Sequence, residues 1–356
     1  MVACSTGFCE IVGAVHVHSN FSDGSRSIEE ISQIANQKNL DFLMFSDHNT
    51  LEPKHLGLDG WHDKVLVIIG VEFNDANNCN HYLAFRIDEN VENRETARNY
   101  VQHVSEQNGF GVIAHPAEKR SFSDAYPPYP WTDWDVEGFD GIEIWNQMSE
   151  WMEGITRANF FWRLIHPLRS IRYPAWETLE RWDRYNQTRR VVGIGGIDVH
   201  AFPYKLLGFI PYEIYPYKVQ FKSIRTHLLL ESPLVRNNES VDFKQAEEIV
   251  FEAIRSARCF ISNHAVGNAC GFRFTAQSGD EIHMMGARLP VKKAFVLAAK
   301  TPLKGRIRLL KDGRVIKSVR GHGIELSVQE PGVYRIEVYR KNRGWIYSNP
   351  IVLYSV

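Results

Sequence analysis

The sequence predicts an α/β fold, in which an α/β barrel precedes a small β-sandwich. Three observations favour this fold. Residues 10–48 read as a strand, a loop, a helix and a second strand. Further apolar strands follow, and several of them end in histidine or acidic residues, at the edge where α/β folds place their chemistry. From about Cys270, short alternating segments separated by turn residues replace this pattern.

The elements of the expected barrel follow in chain order. Ile11–Val17 is apolar and β-branched, which predicts a strand, and Ser27 with Glu30 forms the capping pattern of the next helix. Further strands are expected at 41–46, 65–69, 80–85, 111–114, 141–145 and 190–197. Helices are expected over 91–108, within 150–187, and over 223–230 and 243–257. An aperiodic, aromatic-rich loop covers 117–135, and loops of this length usually have a function.

The C-terminal part predicts a small all-β domain. A hairpin is expected between 306–310 and 315–319, with its turn at Lys311–Arg314, and strands follow at 333–339 and 345–354. We therefore predict a barrel domain over residues 1–268 and a β-sandwich accessory domain over 269–356.

Composition excludes several classes of protein. The chain has 356 residues, 44% of them hydrophobic, so it can bury a substantial core and is not disordered. No run of eighteen apolar residues predicts a membrane span, and no signal peptide is visible, so we expect a cytoplasmic protein; a trimmed N-terminus would leave export open. Five cysteines without C-x-x-C spacing favour free thiols in a reducing compartment.

Charge is unevenly distributed along the chain. Residues 270–356 hold 16 Lys and Arg against 6 Asp and Glu, and the preceding 269 residues hold the remaining 25 against 36. The acidic part suits a carboxylate-rich metal site. The basic part either meets an anionic partner or is an ordinary solvated surface.

Nine histidine, aspartate and glutamate residues lie at or next to the expected strand ends. They are His16, His18, Asp23, His48, Glu72, His81, His115, Asp198 and His200. His16 and His18 are two residues apart, so on a strand they share a face, and Asp198 and His200 repeat this spacing. Imidazole and carboxylate donors without a thiol suit Mn, Zn or Fe, and nine donors exceed the need of one ion. The sequence therefore predicts two or three divalent ions.

The H-x-H pair, the following Ser-Asp-Gly and the Ser-Asp-His after the second strand resemble the PHP (polymerase and histidinol phosphatase) superfamily of metallohydrolases. The resemblance covers residues 10–265 and implies a distorted (β/α)7 barrel with a trinuclear centre at the strand ends. The strand-rich C-terminal part, with its closing segment Trp345–Pro350, resembles the branch that includes carbaryl-hydrolase-like enzymes.

The resemblance also implies a role for each ligand. His16 and His18 would bind one ion together with Asp198, and Glu72 would bridge this ion to a second. The remaining ligands would be His81 and His115 for the second ion and Asp23, His48 and His200 for the third. A bridging hydroxide would then attack phosphorus in a mono- or diester.

Other residues are candidates for substrate binding or catalysis. Arg120, and with it Lys119 and Lys205, could bind a substrate phosphate, and Arg120 could stabilise the developing charge; each could equally be a surface charge. Trp145 and Asn146 close a strand and could line the pocket. Asp47, next to His48, is a candidate catalytic residue, and its chemistry also suits orienting a ligand or capping a helix.

The leading hypothesis is a metal-dependent phosphoesterase that acts on a small phosphorylated substrate. The rival is a metal-dependent hydrolase of carboxyl esters, carbamates or amides, which an aromatic pocket built from Trp131, Trp134 and Trp145 would favour. A non-enzymatic binding module is a third hypothesis, and the complete ligand set argues against it. The acidic barrel argues against nucleic acid as partner, unless the basic sandwich reaches the mouth of the site. The oligomeric state is left open.

Overall fold

The computed structural model describes residues 4–5, 7–92, 94–122, 127–206, 209–236 and 239–355. The chain forms two compact units, and each is described by itself. The site unit comprises Val12–Arg172 and Gly195–Arg225, and the C-terminal unit comprises Met1–Ile11, Tyr173–Ile194 and Thr226–Val356.

Strands and helices are numbered in chain order. The strands are β1 (Cys4–Ser5), β2 (Phe8–Val17), β3 (Phe42–His48), β4 (Gly60–His62), β5 (Val65–Phe73), β6 (Tyr82–Phe85), β7 (Phe110–Ile113), β8 (Gly141–Asn146), β9 (Val192–Val199), β10 (Phe202–Leu206), β11 (Ile210–Ile214), β12 (Ile224–Leu230), β13 (Val235–Arg236), β14 (Glu239–Ser240), β15 (Cys259–Asn263), β16 (Arg273–Ser278), β17 (Glu281–Met284), β18 (Arg288–Pro290), β19 (Phe295–Lys311), β20 (Arg314–Val328), β21 (Gly332–Arg340), β22 (Arg343–Ser348) and β23 (Ile351–Tyr354). The helices are α1 (Ile28–Gln37), α2 (Glu52–His55), α3 (Ala97–Glu106), α4 (Gln147–Glu153), α5 (Phe160–Ile165), α6 (Trp176–Thr188), α7 (Tyr217–Gln220) and α8 (Phe243–Arg255), with a 3-10 turn at Pro167–Arg169.

Seven strands of the site unit pair in the order β9, β2, β3, β5, β6, β7, β8. The pairs are parallel except at β6, which runs antiparallel to both β5 and β7. The mixed α/β class is therefore confirmed. A (β/α)7 barrel stays a prediction, because β6 departs from the all-parallel pattern.

Helix α1 shows how local sequence positions these strands. The side chain of Ser27 accepts a hydrogen bond from the Glu30 backbone N–H, and the Glu30 carboxylate accepts one from the Ser27 N–H, so the predicted capping box is confirmed. Ile28, Ile31 and Ala35 are buried on one face of the helix. The cap satisfies N–H groups that the first helical turn leaves unpaired, and the apolar face fixes which side packs inward.

The C-terminal unit is built around the long strands β19 and β20. They form the predicted hairpin, and its turn residues Asp312 and Gly313 both have positive φ (+50° and +76°), the conformation of a type I′ turn. β19 pairs with β16 in its first part and with β21 in its last part. A core that includes Phe274, Ile336 and Trp345 lies within this unit. A β-sandwich stays a prediction.

Two predictions, the helix at 223–230 and the domain division at residue 268, differ from the structure. The expected helix at 223–230 is wrong, because Ile224–Leu230 forms strand β12 with every residue buried, so the local pattern carried no helical face. The predicted division at residue 268 also differs from the compact units. Residues 226–268 lie with the C-terminal strands, partly because β15 pairs antiparallel with β22.

The expectation of free thiols throughout is wrong. Cys9 is disulfide-bonded, whereas Cys79, Cys259 and Cys270 are free thiols. Disulfides are uncommon in reducing compartments, so the cytoplasmic location stays a prediction with this observation against it. Among the described helices, none has the length and apolarity that crossing a bilayer requires.

Candidate metal centre

The nine predicted ligands meet at one edge of the site unit. His16 and His18 come at the end of β2, His48 ends β3, Glu72 is the penultimate residue of β5, and Asp198 precedes the last residue of β9. The remaining members, placed in loops and turns next to strands, are Asp23, His81, His115 and His200.

His81 reaches this edge for a different reason from the others. It directly precedes β6, so it lies at the amino end of its strand. Because β6 is antiparallel to β5 and β7, its amino end lies beside their carboxyl ends. The reversed strand therefore brings His81 into the cluster, where its Nδ1 lies 2.9 Å from Oε1 of Glu72.

Three of the ligands have backbone conformations that non-glycine residues rarely adopt. The φ angles are +66° at His16, +26° at His115 and +52° at Asp198. At His16 the pairing of β2 with β3 and with β9 also shifts register, since Val15 and Val17 pair while His16 is skipped. His16 lies at this irregularity, and its ring centroid is 5.1 Å from that of His18. Strain of this kind is concentrated at functional sites.

Glu72 lies at the centre of the cluster. Its Oε2 is 3.0 Å from Nε2 of His16 and 3.2 Å from Nε2 of His18, and it is 3.4 Å from Nδ1 of His48. Its Oε1 contacts His81 and lies 3.2 Å from Nε2 of His115. A single buried carboxylate between five imidazoles has the arrangement of a bridging metal ligand.

Donor atoms of the nine residues fall into overlapping groups whose members all lie within 4.8 Å of one another. The groups are His18, Asp23, His48 and His200; His16, His18 and Glu72; His16, His115 and Asp198; and His48, Glu72 and His81. They agree only in part with the sets of ligands that the resemblance implies, since His48 also groups with Glu72 and His81. His18 also belongs with Asp23, and His115 falls with Asp198.

The buried imidazoles fit a metal better than a hydrogen-bond network. Among the described residues, both ring nitrogens of His18, Nε2 of His81 and Nδ1 of His115 are buried and make no hydrogen bond. An unpaired buried polar atom costs about 1–3 kcal/mol, and native proteins rarely tolerate several together. Imidazole nitrogens next to ionised carboxylates are ordinary ligands of divalent ions, so these residues fit such ions.

The electrostatics of the cluster favour a cation. Burial by itself would lower the pKa of His18, but Asp198 and Glu72 raise it to about 10, and His16 is raised well above its usual pKa by Glu72, Asp198 and Glu143. Burial alone would raise the pKa of Glu72, yet the surrounding imidazoles hold it well below the usual value. The carboxylates therefore stay ionised, and their field attracts positive charge whether it comes from protons or metal ions.

Glu143 belongs to the site and was missed by the sequence analysis. Its Oε1 lies 3.0 Å from Nδ1 of His16, and its Oε2 accepts from the His115 backbone N–H and from the Asn146 side chain. This contact orients the His16 ring so that Nε2 faces Glu72. Gly196 makes room, because a Cβ there would overlap Oε1 of Glu143. The available signal was a charged residue inside the apolar strand sequence Gly141-Ile-Glu-Ile-Trp145.

Asp47 holds the loop that follows β2. Its carboxylate accepts from the Ser19 backbone N–H at 2.8 Å, from the Ser19 hydroxyl at 2.6 Å and from the Ser22 hydroxyl at 2.6 Å. These bonds fix the chain between His18 and Asp23. The geometry favours the orienting role over a catalytic one, and the catalytic role stays a prediction.

A cavity of about 430 Å³ opens onto the cluster. Its polar lining consists of Asp23, His48, Glu72, His81, His115, Arg120, Asp198 and His200. Its other lining residues are Phe122, Tyr129, Met148, Trp151, Met152, Ile155, Phe160, Phe202 and Ile214. Among these described residues Arg120 is the sole Lys or Arg.

The other predicted substrate-binding residues lie elsewhere. Lys119 is exposed and is not part of the described cavity lining. Trp145 is buried and donates from its indole N–H to Glu150 at 2.7 Å. Asn146 caps α4 and donates to Glu143, so it supports the site from behind the lining. Lys205 lies in β10, and its side chain is outside the described part of the chain.

The aromatic residues around the cavity also differ from those expected. Trp131 is buried, and its indole N–H donates to the carbonyl of Asp133 at 2.9 Å. Neither Trp131 nor Trp134 is among the described residues that line the cavity. The aromatic wall comes from other residues, of which Trp151 and Phe160 lie in the predicted helical stretch.

Comparison with known protein families gives a match to part of the chain. Residues 14–143 match the family model of the PHP domain, and no curated protein matches the chain. The matched range contains seven of the nine predicted ligands and ends at Glu143. The carbaryl-hydrolase-like branch stays a prediction.

Two solved structures are similar to the chain at low identity. One is a two-domain protein from Bacteroides vulgatus ATCC 8482 containing a predicted PHP-like metal-dependent phosphoesterase, with 15% identity, a TM-score of 0.45, and coverage of 98% of this chain and 97% of that one. The other is a proposed metal-dependent phosphoesterase from Bifidobacterium adolescentis ATCC 15703, with 14% identity, a TM-score of 0.31, and coverage of 56% and 92%. Similarity at this level supports no inference about activity. Residues 14–143, which are less than half of the chain, are therefore similar to the PHP domain, and most of the clustered histidine and acidic residues lie within this range.

Proposed function

We propose that this protein is a metal-dependent hydrolase that cleaves a phosphate mono- or diester at a centre of two or three divalent ions. The residues that would hold the ions are the nine described above, with Glu72 shared between ions. Their donor types suit Mn, Zn or Fe. Ions bound there would supply an activated water and would neutralise charge on the phosphoryl oxygens.

The main support for a phosphate ester as substrate is Arg120. It contributes the cationic side chain of the described cavity lining, and one of its terminal nitrogens is held by Glu118, which is 4% exposed. Its Nε is buried and makes no hydrogen bond, and its Cζ lies 5.4 Å from the centroid of the Tyr129 ring. A guanidinium held in this way at the cavity wall would donate to an anionic oxygen of the substrate, and such charge-assisted bonds are strong.

The residues around the centre have separate tasks in this proposal. Glu143 and Asp47 hold ligands and loops in place, and Glu118 holds Arg120 against Tyr129. Tyr129 in turn stacks on His81, with ring centroids 5.1 Å apart. Arg120 would therefore bind a phosphoryl oxygen next to the ligand ring of His81, where its charge opposes the charge that develops in the transition state.

A rival activity has one observation in its favour. The cavity wall is apolar over much of its extent, which would also accept an uncharged carboxyl ester or carbamate. Activated water attacks carbonyl carbon as well as phosphorus, so the centre alone does not decide. Arg120 supports the phosphate ester, because its guanidinium at the cavity wall can donate to anionic phosphoryl oxygens, whereas an uncharged ester offers it no negative charge.

The test measures hydrolysis of p-nitrophenyl phosphate, bis-p-nitrophenyl phosphate and p-nitrophenyl acetate by manganese-loaded protein, with a chelated control. Arg120→Ala should lower kcat/KM for the preferred phosphate ester by about 10- to 100-fold, the loss of a hydrogen bond to a charged group. Lys119→Ala, the neighbouring exposed cation, is the matched control and should stay within about twofold. Chelator-sensitive turnover of the acetate alone would overturn the phosphate proposal in favour of the ester.

A further inference from the structure

We infer that the phosphoester substrate carries a flat apolar group, such as an aryl ring, next to the scissile bond. The inference rests on the proposed function and concerns the part of the same cavity that no metal ligand occupies. Its basis is the composition and the arrangement of the wall.

Helix α4 and the residues after it present an apolar stripe to the cavity. Met148, Trp151, Met152 and Ile155 follow the spacing i, i+3, i+4, i+7, and all four line the cavity. A stripe of this kind normally packs against a protein core. Here it faces a space of about 430 Å³, which is within the size range of small-molecule sites. Methionine side chains adapt their shape to ligands at little cost.

Aromatic rings extend this wall to the metal ligands themselves. Phe202 stacks on His200 with ring centroids 5.2 Å apart and an interplanar angle of 6°. Phe122 and Phe160 stack on each other at 5.4 Å and 7°. Because Phe202 contacts a ligand ring directly, apolar surface begins at the centre and not at a distance from it. An apolar group bonded to the reacting phosphate would therefore contact the wall immediately.

The wall offers little to a polyhydroxylated substrate. Apart from the ligands, Arg120 and the Tyr129 hydroxyl, the described lining residues include no Ser, Thr, Asn or Gln side chain. Sugar or glycerol hydroxyls bound there would lose water without gaining side-chain partners, which costs free energy for each group. An aryl group has no such cost, and burial of its apolar surface contributes favourable free energy to binding.

The experiment uses phosphonates, because they are not hydrolysed and their affinity does not depend on leaving-group reactivity. Phenylphosphonate and methylphosphonate would be titrated into the manganese-loaded protein by calorimetry. We expect phenylphosphonate to bind about 10- to 30-fold more tightly, as burial of one ring predicts. The double variant Met152→Ala/Phe160→Ala should reduce the ratio of the phenylphosphonate affinity to the methylphosphonate affinity to about threefold or less. Glu153→Ala, an exposed position of the same helix, should leave the ratio unchanged.

The outcomes separate the two proposals. Equal affinity for both phosphonates, or a ratio that the double variant leaves unchanged, would overturn the apolar-group inference even if phosphate esters are hydrolysed. A preserved preference for phenylphosphonate in a protein that hydrolyses p-nitrophenyl acetate but neither phosphate ester would support the apolar wall and overturn the phosphate ester as substrate.

Discussion

Two clusters in this protein bury histidine beside carboxylate, and they differ in what their ring nitrogens contact. In the proposed metal centre, both nitrogens of His18 are buried without a hydrogen bond, and Nε2 lies 3.2 Å from an ionised carboxylate oxygen of Glu72. In the C-terminal unit, His227 is fully buried as well, but its Nδ1 lies 2.8 Å from Oε1 of Glu10 and its Nε2 lies 2.8 Å from the Ser262 hydroxyl.

The second cluster satisfies its carboxylate equally well. The other oxygen of Glu10 accepts from the Gly271 backbone N–H at 2.9 Å and from Arg273 at 2.6 Å. Burial by itself would raise the pKa of Glu10, but the contacts with His227 and Arg273 lower it. Donor atoms of Glu10, His227 and Cys270 do lie within 4.8 Å of one another. Since hydrogen bonds already use both histidine nitrogens, the cluster is a structural network and not a second metal site.

The comparison teaches which observation separates a ligand from a structural histidine. Burial and nearby carboxylates are common to both clusters, so neither is diagnostic. The difference is whether the polar atoms have partners within the protein. A satisfied network stabilises the fold, whereas unsatisfied nitrogens around ionised carboxylates cost stability until a cation binds.

The largest expected contrast comes from changing one histidine in each cluster. His18→Asn should lower turnover by about 1000-fold, because a lost ligand removes several kcal/mol of transition-state stabilisation. It should also lower the amount of bound metal, measured by elemental analysis.

His227→Asn is the matched change in the satisfied network. It should lower the free energy of unfolding in urea by about 1–3 kcal/mol, since the shorter side chain leaves Glu10 or Ser262 without its partner. Turnover per folded molecule should stay near wild type. A loss of metal in the His227 variant, or wild-type turnover in the His18 variant, would break the distinction.

A smaller effect is expected from the carboxylate that orients a ligand. Glu143→Gln keeps the shape but weakens the contact with His16, so the affinity for manganese should fall by about 10- to 100-fold. The measurement is a metal titration of the chelator-treated protein.

Glu10→Gln is the control for Glu143→Gln, because Glu10 also contacts an imidazole. It should lower the stability and leave metal affinity within about twofold. Equal losses of metal affinity in the two variants would mean that Glu143 acts through the general stability of the fold.

The smallest effect concerns pH. In the metal-free protein the raised pKa of His18, about 10, means that its proton stabilises the fold fully below about 6.5 and that this contribution is lost as pH rises through about 10. A metal ion must displace this proton, so metal affinity should rise with pH.

The difference in Tm between manganese-loaded and chelated protein should therefore increase from pH 6 to pH 8.5, by several degrees. Thermal scans across this range measure it. A difference that is constant or that shrinks with pH would contradict protonated ligands in the metal-free centre.

Some of this protein could be predicted from its sequence because the signals are local. The capping box of Ser27 and Glu30 and the turn at Asp312-Gly313 depend on neighbouring residues, and both are confirmed. The histidines and acids near strand ends stood out for the same reason. The helix expected at 223–230 was wrong because a short apolar run fits a buried strand as well as a helix.

The sequence by itself determined the ligand types and the α/β character of the chain, since both follow from residue identity and short-range periodicity. Only the tertiary structure decided which buried residues work together. Glu143 contacts His16 across 127 positions, the antiparallel strand β6 places His81 in the cluster, and a register shift in β2 falls at His16. Whether a buried histidine is satisfied, as His227 is, or left open, as His18 is, depends on partners distant in sequence, which no local pattern records.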